Sequence, residues 1–313
     1  MMKNQAKRPA RCSRPRLYIC VLLLVVSGCG TIGASGTNST GSDTSALEQL
    51  SLERINRARL RPAAEAALAG ISLNEGVSAD EQITTAPKQA LAMNASLTQS
   101  ARQHSQDMLA RNYFEHNTPE GTTPFQRIDG SGYLYTAAGE NLAWRGTTGT
   151  IDEVQTVEQE HTDLFVDSGV ADRGHRTIMM QAVFREVGVG ILRGEFTDAG
   201  TRFDSMMQTQ DYGTPASGST FVLGVVYNDA NGNGRYDYGE GTANVGVTLG
   251  GVSKTTNAGG GYSFEVRAAG TYTLQFAPGP SRSLAIDAGS LNIKADLVNN
   301  TTIVINLGLG LLS

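Results

Sequence analysis

The clearest periodic stretch of this 313-residue chain begins just after Asn94. Leu97, Ala101, His104 and Met108 recur at steps of four, three and four, one stripe of a 3.6-residue helix. Asn94 can cap its first turn, and Pro119, Gly121 and Pro124 crowd the segment beyond Asn112, so the spacing predicts a helix over 95–112. An earlier helix is expected from Ala46, with Leu47, Leu50, Ile55 and Ala58 on one face and Arg54, Arg57, Arg59 and Arg61 among its polar positions. Pro62 should end or kink it, and the alanine-rich residues 63–69 continue as helix to Gly70. Residues 71–88 hold no sustained period and read as a loop. A third helix is predicted over 152–165, where Val154, Val157, His161 and Leu164 share a face. Residues 146–149 read as a loop and 178–180 as a short apolar helical turn. The stretch 187–191 reads as a glycine-dense strand, and 203–212, which alternates poorly, as the last strand of a sheet.

Past residue 213 the texture becomes all-β. Residues 214–220 form a linker. After it 221–227, 245–249, 261–266, 270–276 and 302–307 are short strands between Gly, Asn, Asp and Pro turns, the signal of a small β-sandwich over 221–313. The chain therefore reads as α+β, a mixed domain over 46–213 followed by an all-β one, in line with its length.

The first residues carry an address. Lys3, Lys7, Arg8, Arg11, Arg14 and Arg16 form a basic stretch without an acid, and 17–26 is an apolar run too short to cross a bilayer of ~30 Å as a helix. Val26-Ser27-Gly28-Cys29 then resembles a bacterial lipobox, which implies a leader over 1–28 and lipidation of Cys29. Ordinary secretory cleavage near Gly28 or Gly33 is the alternative. On the lipobox reading the protein is an exported lipoprotein held to the cell envelope, at the outer membrane or cell surface, by its N-terminal lipid. The Gly/Ser/Thr-rich residues 29–45 would be a flexible tether. Losing the six basic residues takes the formal net charge from −5 to −11, which argues against a nucleic-acid partner. Cys12 and Cys20 lie in the leader and Cys29 at its end, so the folded part depends on burial rather than on disulfides.

One turn of the all-β part carries metal chemistry. Asp229 to Glu240, D-A-N-G-N-G-R-Y-D-Y-G-E, fills every fixed position of a calcium loop. Asp229, Asn231, Asn233, the Arg235 carbonyl, Asp237 and a bidentate Glu240 would place oxygens round one hard cation, with Gly234 at the sharp turn. A strand precedes it where a helix would in an EF-hand. With residues 257–264 it is similar to the calcium-binding B-repeats of bacterial surface adhesins. A polar turn without metal is the alternative.

All four histidines fall between positions 104 and 175. His104, central on its apolar stripe, is expected to be a hydrogen-bonded core residue. His116 is expected in a loop beside Glu115 and Glu120, and Glu140 follows Gly139 in a second tight segment. The segments 94–108, 113–121 (Y-F-E-H-N-T-P-E-G), 139–144 (G-E-N-L-A-W) and 174–176 (G-H-R) resemble the signatures of the CAP superfamily. That group comprises cysteine-rich secretory, antigen 5 and pathogenesis-related 1 proteins and bacterial extracellular domains. The resemblance covers 44–213. It implies an α-β-α sandwich with a shallow central cleft and, in that cleft, a tetrad of two histidines and two acids. Matched residue by residue, these are His116, Glu140 and His175. The second acid has no clean match, Asp163 and Asp167 being candidates and Asp167 favoured. Two imidazoles with carboxylate and water could hold zinc; a hydrogen-bonded network that braces the loops is the alternative. The resemblance favours a surface protein whose cleft binds a lipid or a peptide. A metal-dependent hydrolase or peptidase with Glu140 as base is the runner-up, although no Ser-His-Asp order, H-E-x-x-H or free cysteine nucleophile supports it. A structural or adhesive envelope module is the third reading.

Overall fold

The computed structural model describes residues 3–12, 43–287 and 289–307. Lys3–Cys12 forms an edge strand, β1. Cys20, Cys29 with its lipobox, the rest of the expected leader and nearly all of the tether lie outside the described residues. Among the described residues no helix is long and apolar enough to cross a membrane.

Helix α1 (Ser45–Leu60) stops where Pro62 removes a backbone donor, and α2 (Pro62–Leu68) restarts with that proline in its first turn. Residues 71–88 hold neither helix nor strand. After the two-residue strand β2 (Ala92–Met93) comes α3 (Ala95–Arg111). Asn94 Oδ1 accepts from Ser96 N at 2.9 Å and Leu97 N at 3.1 Å, satisfying donors the first turn leaves free. Asn112 ends the helix in the left-handed region, φ 54°. A short α4 (Pro124–Gly130) precedes β3 (Tyr135–Thr147). The expected third helix is α5 (Glu153–Val166), and Gly174–Met179 is α6. Two long strands follow, β4 (Glu186–Asp198) and β5 (Thr201–Pro215).

These strands make one sheet in the order β1-β3-β5-β4-β2, antiparallel except for the β2–β4 pair. Helices cover both faces. On one, Met108 of α3 and Phe114 pack with Leu142, Trp144, Phe196, Phe203 and Met207. On the other, Leu50, Ile55, Val157, Leu164 and Ile178 pack on Ala143, Val189, Ile191, Met206 and Tyr212. The glycines of β4 let α3 approach closely. A Cβ at Gly188 would stand 2.0 Å from the Leu97 carbonyl carbon, and one at Gly190 would stand 2.2 Å from Arg102 N.

The C-terminal part is all-β: β6 (Thr220–Tyr227), β7 (Gly246–Leu249), β8 (Val252–Thr255), β9 (Gly261–Val266), β10 (Gly270–Ala277), β11 (Ser281–Ile286), β12 (Ile293–Val298) and β13 (Thr301–Asn306). They form two four-stranded sheets, β11-β10-β7-β8 and β13-β12-β6-β9. Val222 and Leu297 of the second share an apolar cluster with Val247, Leu274 and Phe276 of the first. The connection to the first domain is short, residues 216–219, because β5 runs to Pro215 and β6 starts at Thr220. Every residue of β6 is buried. Val225, Tyr227 and Tyr236 belong to the same apolar cluster as Leu50 and Ile55. Lys294 on β12 meets Glu53 of α1 at 3.0 Å, and both are buried.

Candidate functional site

The sequence suggests a tight segment for Glu140; the residue sits instead at the middle of β3. The ladder fixes it there, with Asp211 of β5 opposite. Its side chain is 0% exposed and is held from two sides. His116 Nδ1 lies 2.7 Å from Oε1, and Arg127 Nη2 donates to Oε2 at 2.5 Å. The same guanidinium donates through Nη1 to the His116 carbonyl at 2.7 Å, so Arg127 ties the loop to the strand. Burial pushes the Glu140 carboxyl up to about 7, against the pull of Arg127. Asp211 is equally buried and raised well above the usual range, by burial first and then by the charge of Glu140. Ser100 and Glu140 are its polar neighbours, but among the described residues neither Asp211 oxygen accepts a hydrogen bond of good geometry.

The loop that carries His116 is braced from behind. His104 is buried, and its Nε2 lies 3.0 Å from the Glu115 carbonyl oxygen. Burial, with Arg127 nearby, pushes that imidazole down to about 3, so it stays neutral, as expected of a core histidine. Tyr113, Glu115, His116, Asn117, Thr118 and Pro119 line a shallow mouth of about 360 Å³. The His116 side chain is 16% exposed at this mouth.

His175 stands in a second pair. Asp167 caps α5 in the left-handed region, φ 55°, which turns its carboxylate back toward α6. Its Oδ2 accepts from His175 N at 2.8 Å, and its Oδ1 lies 2.7 Å from His175 Nδ1. Asp163, the other candidate acid, takes Arg145 at 2.7 Å instead. Arg176 explains its place in G-H-R: its guanidinium donates to the carbonyls of Phe165, Val166 and Leu73 and pins the surrounding loops. His175 is fully buried, and among the described residues its Nε2 meets no hydrogen-bond partner. The structure brings His116 to Glu140 and His175 to Asp167 as two separate pairs rather than one tetrad; Asn141, next to Glu140 on β3, donates its Nδ2 to the His175 carbonyl at 3.1 Å. His161 lies in neither pair; its Nε2 is 2.8 Å from Glu65 Oε1. In both pairs the acid meets the ring at Nδ1, a contact that orients the imidazole. Among the described residues no three His, Cys, Asp or Glu side chains gather as a metal-holding group.

Sequence reasoning misses Arg127 and Asp211. Arg127 has a signal, since Thr123 and Gln126 form a capping box that starts α4 and aims it. Asp211 has none beyond its strand register.

The loop 229–240 curls on itself. Asp229 accepts from Asn233 N at 3.1 Å and Gly234 N at 2.9 Å. Glu240 accepts from Ala230 N and Asp237 N, both at 2.9 Å, which joins the loop's start to its end. Gly234 takes φ 71°, the sharp turn the pattern requires. Asn231 and Asn233 donate their amides to Asp237 Oδ2, whose other oxygen receives Arg54 Nη2 at 3.0 Å. Arg235 contributes its backbone here, its N donating to Asn233 Oδ1 at 2.8 Å.

A sheet covered by helices, with histidine–acid pairs held between a strand and the ends of helices, makes the first part an α+β domain. Residues 52–212 match the cysteine-rich secretory protein family, CAP, and the chain belongs to that family. It is 33% identical over 100 residues to the uncharacterized protein YkwD of Bacillus subtilis, a match spanning 32% of this chain and 34% of that protein. Among solved structures it is similar to an extracellular protein containing a SCP domain from Bacillus anthracis (19% identity, 57% of this chain, 45% of that one, TM-score 0.34). It is also similar to an outer surface protein of Borrelia burgdorferi (14% identity, 56% of this chain, 97% of that one, TM-score 0.33).

Proposed function

We propose that this CAP protein is an exported, envelope-anchored binding protein that takes its ligand, a lipid or a peptide, at the mouth over the His116–Glu140 pair. One observation carries the reading. Glu140 is sealed from solvent with its charge answered by Arg127, while the imidazole it orients reaches the surface of a lined depression. Such a ring is held in position before any ligand arrives, the condition for specific recognition. Lipidation of Cys29 belongs to the same proposal and follows from the lipobox. So does calcium in the 229–240 loop, whose carboxylates fold inward on backbone donors. We read the first domain as an α-β-α arrangement and the C-terminal sheets as a β-sandwich. A zinc-dependent hydrolase has one specific support: the buried Nε2 of His175, on a ring backed by Asp167, meets no hydrogen-bond partner among the described residues.

The test is NMR of the full chain in detergent, following the four imidazoles while zinc chloride and monomeric short-chain phosphatidylcholine are added separately. Signals of His116 moving before those of His104 and His161, and no longer doing so in Glu140→Gln, support the site. Equal, weak shifts of all four rings with both probes would refute it. Movement of His175 together with His116 under zinc alone favours the metal reading.

A further inference from the structure

β3 has two edges. The inner one pairs with β5 along nearly its whole length. The outer one is covered by β1, in a register that runs from Lys3↔Gly146 to Lys7↔Leu142 and resumes from Ala10↔Glu140 to Cys12↔Ala138. The ladder slips at Arg8 and Pro9, where proline has no N–H to give. β1 also runs alongside α6, the helix that carries His175. The added strand thus lies against the elements that hold both histidine pairs.

On the lipoprotein reading this segment leaves with the leader. The outer edge of β3 between 138 and 146 would then present a row of unpaired backbone N–H and C=O groups. This edge has no proline and no lysine; its one acid, Glu140, is buried and engaged by His116 and Arg127, and its one arginine, Arg145, is drawn to Asp163 of α5.

We propose that the outer edge of β3 is a peptide-accepting edge, which takes an extended basic segment of another protein as an added antiparallel strand beside the His116–Glu140 pair. This deepens the binding reading above, on which it rests, by naming the ligand class. Main-chain hydrogen bonds supply the affinity of such strand addition, and alternate side chains supply its selectivity. The basic character follows from the segment that fits, with Lys3, Lys7, Arg8 and Arg11 and no acid, and from the net charge of −11 left on the exported chain.

The experiment compares two forms of the protein. One is the exported form purified from the envelope, its N-terminus fixed by intact mass. The other is the 313-residue chain retained in the cytoplasm, with its own strand in place. The probe is a fluorescent peptide of residues 3–11, read by anisotropy. The exported form should bind it saturably, and the full-length form at least about tenfold more weakly, because a tethered strand competes at high effective concentration. N-methylation at Asn4 and Ala6, or at Gln5 and Lys7, should abolish binding in one set and spare it in the other, since alternate amides face the partner strand. Equal binding by both forms, or equal tolerance of both methylated sets, overturns the proposal. So does an exported form that keeps residues 1–28, or a dimer of it that the peptide cannot dissociate. Peptide binding that ignores methylation yet shifts the His116 ring would overturn strand addition and leave the cleft reading standing.

Discussion

Replacing Glu160 with glutamine should make the protein less sensitive to alkali. Glu160 lies on α5, fully buried against the sheet. One oxygen accepts from Gln208 Nε2 at 2.8 Å, and the other has no partner among the described residues. Gln208 is itself held by Ser51 Oγ at 2.5 Å, so the amide cannot turn to serve both oxygens. Burial pushes the carboxyl up to about 8; the Gln208 bond opposes this, Asp163 adds to it and Arg145 opposes it. An acid raised in the native state keeps a proton there that the unfolded chain has released. Its stabilising contribution is complete below about pH 4.5 and is lost as pH rises through about 8. Each unit in that window costs about 1.4 kcal/mol, on the order of 4–5 kcal/mol in all. The substituted amide would be neutral throughout and would keep the bond to Gln208. Urea unfolding of both full chains between about pH 5 and pH 9 should therefore show Glu160→Gln gaining on wild type by roughly 1 kcal/mol per unit, levelling off above pH 8. Asp211 and Glu140 are present in both proteins and cancel in the difference. A gap that stays constant across the range would refute the assignment of a neutral buried acid at this position.

Calcium in excess over a chelator should raise the melting temperature of the full chain, by the equivalent of about 2.7 kcal/mol at a hundredfold excess over Kd, at millimolar levels. Glu240→Gln should remove most of that shift, and superimposable melts would dismiss the site. Lys294→Met should cost about 3–5 kcal/mol in urea unfolding by stranding Glu53 in the interior, and adding Glu53→Gln should recover much of it. A double variant as weak as the single one would show that the charge is not the cause. Gly190→Ala should cost about 1–3 kcal/mol or more, because its Cβ would meet the backbone of α3; an unchanged urea midpoint would contradict the close approach.

α3 and α5 are legible in the sequence because each has one apolar stripe and one capping residue, Asn94 and Asp152. β3 is not. Helices cover both faces of its sheet, so Leu142 and Trp144 face one core while Ala143 faces another, and no alternation of apolar and polar positions survives. The edge strands β8 and β11 are largely exposed, and β12 carries Lys294 and Asp296 inside a strand, where they pair with each other and Lys294 also meets Glu53 across the domain boundary. At the site, the histidines are visible as residue types in ordered segments. Their partners divide by distance along the chain. Asp167, eight residues before His175, is within reach of sequence reasoning, whereas Asp211, far from Glu140 in sequence, is set beside it by strand register alone.

The single apolar body that runs from α1 into β6 has a genetic consequence. A premature stop near codon 216 would strip Val225, Tyr227 and Tyr236 from around Leu50 and Ile55, and would leave Glu53 without Lys294. The histidine domain would then fail along with a tail that supplies none of its histidine–acid pairs. A lineage cannot shed or exchange the C-terminal half by recombination at the short connection unless α1 is rewritten in the same step. The two halves should therefore be inherited, expressed and degraded as one.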